Sequence, residues 1–285
     1  MNPAELFTLQ ATDDRMHWTW QPSSLLLTPA KTLQGGAGLG AATAAMVAVT
    51  GRPVVWATAQ YLSFASGTAE IELDVTVEVA GHNTTQARCV VSRQGQEILT
   101  THAALGSRSI DRDGVWCTCP DVPPPDSCPE YRFFERRTGH IGDLIDLRLA
   151  RGRQLDELHG TRGDGAFAVW VRVGRGVHRM TVPELAFIGD LMPLGFADAM
   201  GEPVAGNSLD NTIRVGRLVD TEWVLLTTQV QQVVNGFGYG RGELWAEDAT
   251  LLGDVSQNAV LRLHTHIRAL GTPNTGSIRP GSGVR

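Results

Sequence analysis

A chain of 285 residues has room for one large domain or for two of ordinary size, each able to bury its own core. With 42% hydrophobic and 19% charged residues its composition is globular, and no apolar run approaches the ~20 residues that a membrane span needs. A formal net charge of −6, with no local cluster of Lys or Arg, repels phosphate backbones, so a small ligand is expected and nucleic acid is not.

The first residues, MNPAELFTLQATDD, carry acids and lack the basic and apolar regions of a secretory signal, which makes the cytoplasm the expected location. Residues 33–51, LQGGAGLGAATAAMVAVTG, read as a helix built almost wholly from small residues and ended by Gly51. Ala and Gly each bury little area, so such a helix draws its stability from a sheet that approaches closely on most sides. Strand patterns follow at 54–64 and at 68–81, TAEIELDVTVEVAG, where Ile71, Leu73, Val75, Val77 and Val79 alternate with polar residues. QARCVVSR from Gln86, a turn at QGQE and ILTTHAALG from Ile98 complete an antiparallel meander.

The stretch DRDGVWCTCPDVPPPDSCPEYRFFERR is rich in proline, charge and cysteine and reads as an irregular connector. Its Cys117, Cys119 and Cys128 lack the paired spacing and the fourth ligand of a structural zinc site, so free thiols are expected and no metal. No other cofactor is expected either. The order of elements then returns. Residues 180–201, MTVPELAFIGDLMPLGFADAMG, place Pro183 near a helix start and Gly201 past its end, with Leu185, Ile188, Leu191 and Leu194 spaced for an apolar face.

Further strands are expected at SLDNTIRV from Ser208, EWVLLTTQVQQVV from Glu222, GYGRGELWAED from Gly238 and LLGDVSQNAVLRLHTHI from Leu251. Arg88 falls opposite Arg241 and Leu99 opposite Leu252, an offset of about 153 residues that marks a duplicated unit. The expected division is an N-terminal unit at 1–108, a connector at 109–139, a C-terminal unit at 140–268 and a flexible tail at 269–285. The expected fold is α+β, a double hotdog: two long helices, each wrapped by a curved antiparallel sheet, the sheets joined into one.

Several strings carry a family resemblance. SLDNTIRV, GRGELWAEDATLLGDVSQNAVLR and FIGDLMPLGFADA resemble the second half of the acyl-CoA thioesterase II family, and LQGGAGLGAA, NTTQAR and THAALG are similar to its first half. They fall in order over nearly the whole chain. Two places depart from the family: Ala37 stands where Gln tends to follow the first Gly-Gly, and Phe64, Ala65, Ser66 and Gly67 replace an Arg-Pro-Gly turn. In that family an Asp on the helix, a Thr or Ser before an x-Asp pair, and a Gln near the last strand hold the attacking water. Carried over residue by residue, these are Asp190, Ser208 and Gln257. The resemblance implies hydrolysis of acyl-CoA, the substrate partner, to free fatty acid and CoA. Sheet edges that pair with another copy make a homo-oligomer the expected state.

The residue types suit that chemistry. A thioester carbonyl is already electrophilic and its thiolate leaves readily, so hydrolysis chiefly needs an aligned, partly deprotonated water and a place for the oxyanion. Of the three residues only Asp190 can accept a proton, while Ser208 and Gln257 can hold the water. Apolar helix neighbours turn Asp190 inward. Backbone N–H groups around Gly35 and Gly36 are candidates for the oxyanion. The first copy holds Leu39 or Gly40 in place of the acid and Ala104 in place of the amide, so one centre per chain is expected, with the first half shaping an acyl tunnel near Ala41 and Ala44.

Other signals are weaker. His264 and His266 lie two apart without a third metal ligand, GGAGLG has no βαβ unit around it, and no G-x-S-x-G is present. Two further readings keep the fold: an enoyl-thioester hydratase, for which no histidine follows Asp190 in its helix, and a non-catalytic acyl-thioester binder, motivated by the departures at Ala37 and Phe64.

Overall fold

The computed structural model describes residues 3–133 and 139–263; the expected tail, and His264 and His266, lie outside them. Two short strands, β1 (Gln10–Ala11) and β2 (His17–Trp20), precede helix α1 (Gly35–Thr50). The meander follows as β3 (Val54–Tyr61), β4 (Ile71–Ala80), β5 (Thr84–Arg93) and β6 (Gln96–Gly106). Beyond the connector come α2 (Ile141–Leu144), β7 (Ile145–Arg151), β8 (Ala166–Val173), β9 (His178–Arg179), α3 (Val182–Gly189) and α4 (Pro193–Met200). The chain then runs through β10 (Val204–Ser208), β11 (Asp210–Val215), β12 (Asp220–Thr221), β13 (Val224–Val234), β14 (Phe237–Ala246) and β15 (Leu251–Leu263).

Thirteen of these strands make one antiparallel sheet in the order β1-β2-β4-β5-β6-β3-β11-β15-β14-β13-β8-β7, with β10 also pairing with β15. The seam between the two units is β3 against β11, where Thr58 lies opposite Thr212 and their hydroxyls meet at 2.7 Å. The duplication is visible in the strands themselves: β5 and β14 each have 10 residues and occupy corresponding places, Thr84 matching Phe237. The turn expected at QGQE is a two-residue hairpin on Gln94 and Gly95, with φ of 52° and 76°. That left-handed pair matches the twist of the flanking strands.

Helix α1 is enclosed as its composition requires. Ala37, Leu39, Ala41, Ala42, Ala45 and Met46 have no exposed surface, and Gly51, at φ 66°, ends the helix by returning its N–H to the Val47 carbonyl. The expectation of a second long helix over 180–201 is corrected: α3 stops at Gly189 and α4 restarts at Pro193. Pro193 has no N–H to donate to the Gly189 carbonyl, and its ring collides with that carbonyl in a continuous helix. Among the described residues there is therefore one long helix, and the second is a broken pair. The strand expected to begin at Ser208 is likewise divided, since β10 ends there and β11 starts at Asp210.

The two units solve one packing problem in opposite ways. In the first, small helix residues meet large strand residues: a Cβ at Gly38 would stand 2.6 Å from Leu99 Cδ2. In the second, the broken helix pair carries Phe187 and Phe196, with Met192 at the break, while the sheet supplies glycine. A Cβ at Gly238 would stand 2.7 Å from Phe196, and one at Gly240 would stand 3.3 Å from the Met192 sulfur. Both arrangements match small residues on one side to large ones on the other, as close packing requires. Among the described residues no helix is long and apolar enough to cross a membrane.

Candidate active site

Strand alternation sets the floor of the site. Along the seam β3 turns Ala57 and Ala59 inward, β11 turns Asn211 and Ile213 inward, and β15 turns Val255, Gln257 and Ala259 inward. Ser208, opposite Ala259 in the β10–β15 register, shares that face. Above this floor the break between α3 and α4 delivers Asp190, the C-cap residue of α3. It is therefore not a mid-helix acid. Gly189 lets the helix end lie flat on β15, because a Cβ there would be 2.7 Å from Val255 Cγ1.

The start of α3 is also fixed. Thr181 caps it in a reciprocal box with Glu184, and the fully buried Glu184 meets His178 Nε2 at 2.7 Å.

The three residues picked from the sequence meet at one carboxylate. Ser208 Oγ donates to Asp190 Oδ1 at 3.0 Å, and Gln257 Nε2 donates to the same oxygen at 2.5 Å and to Ser208 Oγ at 2.8 Å. Two partners went unforeseen. Asn211 Nδ2 reaches Oδ1 at 3.5 Å, and the Gly36 N–H at the start of α1 donates to Oδ2 at 2.8 Å. Gly36 was a candidate for the oxyanion; its N–H is instead committed to the acid. Asn211 lies inside the string SLDNTIRV, one residue past the x-Asp pair, where strand alternation could have placed it on the inner face.

An ionised carboxylate only accepts, so the Gln257 amide must turn its nitrogen toward Asp190. Its Oε1 is then left buried without a partner among the described residues. Oδ1 of Asp190 is crowded by donors, whereas Oδ2 has the Gly36 N–H, which leaves Oδ2 the oxygen better able to take a proton. Burial pushes the Asp190 carboxyl above its ordinary pKa, while Gly36, Ser208, Gln257 and Asn211 pull it back by stabilising the charge. The positive end of α1 works in the same direction as those donors.

Tyr61, the last residue of β3, completes the surroundings. A Cβ at Gly35 would stand 2.9 Å from Tyr61 Cζ and 3.1 Å from Asp190 Oδ2, so tyrosine and acid flank the bare backbone of Gly35. An open cavity of about 560 Å³, lined by residues of the seam including Thr58, Ala59, Gln60, His102 and Asn258, lies chiefly on its other face, where Thr58 and Gln60 alternate with the buried Ala57 and Ala59. Among the described residues no three His, Cys, Asp or Glu side chains gather as a metal site needs.

Comparison with known proteins finds relatives of this chain. Residues 125–261 match the family model of the acyl-CoA thioesterase C-terminal domain. Among solved structures, a candidate thioesterase from Novosphingobium aromaticivorans shares 26% identity and a TM-score of 0.80, over 89% of this chain and 98% of that one. A hot dog fold protein of unknown function from Alicyclobacillus acidocaldarius matches with 18% identity and a TM-score of 0.78, over 90% and 96% of the two chains. An acyl-CoA thioesterase II from Mycobacterium marinum matches with 18% identity and a TM-score of 0.71, over 91% and 97%. No protein of curated function matches the chain.

Proposed function

We propose that this chain, whose residues 125–261 match the acyl-CoA thioesterase C-terminal domain, hydrolyses acyl-CoA with a water activated by Asp190 and positioned by Ser208 and Gln257. The observation that carries this reading is the convergence of Ser208 Oγ and Gln257 Nε2 on Asp190 Oδ1 beneath a helix break. Oδ1, already held by those donors, fixes the carboxylate. Oδ2 takes the proton from water as the water oxygen bonds to the thioester carbon. The buried Gln257 Oε1 accepts the second O–H of that water. Collapse of the tetrahedral intermediate breaks the C–S bond, and the thiolate leaves with the proton that Asp190 took up. The products are a free acid and CoA.

The raised pKa of Asp190 makes it a stronger base than an exposed carboxylate while keeping it ionisable, which is what general-base catalysis asks for. The hydratase alternative draws no support here, because the hydrogen-bond partners of Asp190 among the described residues are Gly36, Ser208, Asn211 and Gln257, none of them a histidine.

In this reading the unit at 1–108 shapes the room for the acyl chain and the unit at 140–268 carries the trio, within a homo-oligomer. Thiol release from a panel of acyl-CoA chain lengths tests the activity. Asp190→Asn should lose about 10²–10⁴-fold in kcat, the usual worth of a general base. A wild-type protein that releases no thiol above buffer over the whole panel, while binding acyl-CoA, would instead establish the non-catalytic binder.

A further inference from the structure

The hydrogen bonds around Asp190 leave one buried donor over. The Ser208 hydroxyl, the Gln257 amide, the Asn211 amide and the Gly36 N–H all turn toward the carboxylate or toward one another. The Tyr61 hydroxyl is enclosed beside them, close to the Asn211 side chain but in no hydrogen bond of good geometry among the described residues. A buried hydroxyl without a partner costs about 1–3 kcal/mol, and native interiors seldom retain one. Its ring flanks Gly35 opposite Asp190 Oδ2, the oxygen with acceptor capacity to spare. Any side chain at position 35 would close the space between them.

We propose that the Tyr61 O–H receives the carbonyl oxygen of the thioester as it becomes an oxyanion, so that the catalytic centre is assembled from both units of the chain. This inference rests on Asp190 being the base. When the water oxygen bonds to the carbonyl carbon, the π pair moves onto the carbonyl oxygen. Tyr61 holds that charge by a hydrogen bond and keeps its own proton. The pair then returns, the C–S bond breaks, and the bond to Tyr61 relaxes.

The other donors of the cluster are already engaged with the carboxylate, so they cannot serve the oxyanion without releasing the base. Burial, with Asp190 and Asp210 nearby, holds the phenol well above its ordinary pKa, Asn211 pulling the other way. Tyr61 therefore stays a donor wherever the enzyme works. A preorganised donor in an enclosed site is worth about 10²–10³-fold in kcat.

The test compares Tyr61→Phe with wild type in thiol release from an acyl-CoA that the wild type turns over. The expected result is a loss of about 10²–10³-fold in kcat, with KM and affinity for a non-hydrolysable thioether analogue of the same acyl-CoA within a few fold. Unchanged kcat overturns the proposal. Should the Phe variant fold poorly, 3,5-difluorotyrosine at position 61 keeps the shape and changes only the acidity of the donor. The kcat should then move with that acidity, and a kcat equal to wild type overturns the proposal. Asp190→Asn in the same assay separates the two readings. Full rate in that variant removes the base and this inference with it, whereas loss there beside full rate in Tyr61→Phe removes Tyr61 alone.

Discussion

Replacing Gly36 by alanine should damage catalysis through a residue that touches no substrate. The added Cβ would stand 2.7 Å from Asp190 Cβ and collide with the Ala186 carbonyl oxygen. Carbon atoms rest at roughly 3.5–4.0 Å, so the contact is short by about 1 Å and one side must move. Helix α1 is enclosed and rigid, and the end of α3 is the side next to a break. Asp190 should therefore shift by about 1 Å, which costs on the order of 10²-fold in rate. Overpacking of this kind also costs about 1–3 kcal/mol, a few degrees in Tm for a chain of this size.

The control is Gly51→Ala, where a Cβ meets nothing within 4 Å but φ is 66°. It should lose about 1–2 kcal/mol to the left-handed backbone with kcat unchanged. Thiol-release kinetics and thermal unfolding monitored by circular dichroism read both quantities. If Gly36→Ala keeps the wild-type kcat while its Tm falls, α1 does not set the position of the acid and the reasoning is wrong.

Three further outcomes follow from the same geometry. Ser208→Ala removes a charge-assisted donor from Asp190 Oδ1 and should lower kcat about 10–100-fold, the kinetic equivalent of about 1.5–3 kcal/mol, with KM little changed. In the wild type kcat should fall on the acid side as Asp190 binds a proton, because a protonated carboxyl is no base. Since burial raises its pKa, the midpoint of that loss should lie above the ordinary carboxylate range, and Gln257→Glu, which sets a second carboxylate beside the first, should move it further up; a kcat–pH profile with its acid limb below that range contradicts both. His178→Ala takes the partner from one oxygen of the buried Glu184 and should lower stability by about 1–3 kcal/mol. Burial works against the charge on His178, yet the Gly176 carbonyl, Glu184 and Asp220 outweigh it and raise its pKa. The charged pair then contributes fully below the ordinary histidine value of about 6.5 and is lost as pH rises through the raised value, so the Tm gap between variant and wild type should shrink toward alkaline pH.

The sheet is largely legible in the sequence because alternation is a local signal. Ile71, Leu73 and Val75 fall on one face in β4 as their spacing predicts, and the offset of 153 residues reappears in the positions of β5 and β14. The strands β1, β2, β7 and β8 at the two ends of the sheet carry no reading from the sequence, although IDLRLAR in β7 alternates plainly. The second helix misleads because apolar spacing runs on from Leu185 and Ile188 to Leu191 and Leu194, across the very stretch that Pro193 interrupts. Periodicity reports which face is buried; it does not report whether the backbone is continuous. Asp190, Ser208 and Gln257 could be named only together, by resemblance, since a lone serine or glutamine in a strand has no local mark of function. Tyr61 and Gly36 come from the other unit, and no short-range pattern links them to Asp190.

In the proposed reading the chain holds one centre, drawn from both units. The helices α1 and α3 cross where Gly36 and Gly40 admit the backbone of α3 at Ala186 and Pro183, a contact that any side chain on α1 would fill. In the proposed reading the first unit serves the second with a backbone N–H and a phenol. The Pro193 break completes the asymmetry, since it frees Asp190 from a continuous helix and lets its carboxylate meet the open N-terminus of α1, whose partial positive charge offsets part of the cost of burying it. In that reading the duplicated fold works through one site, with its acid at the end of α3 and its backbone donor at the start of α1.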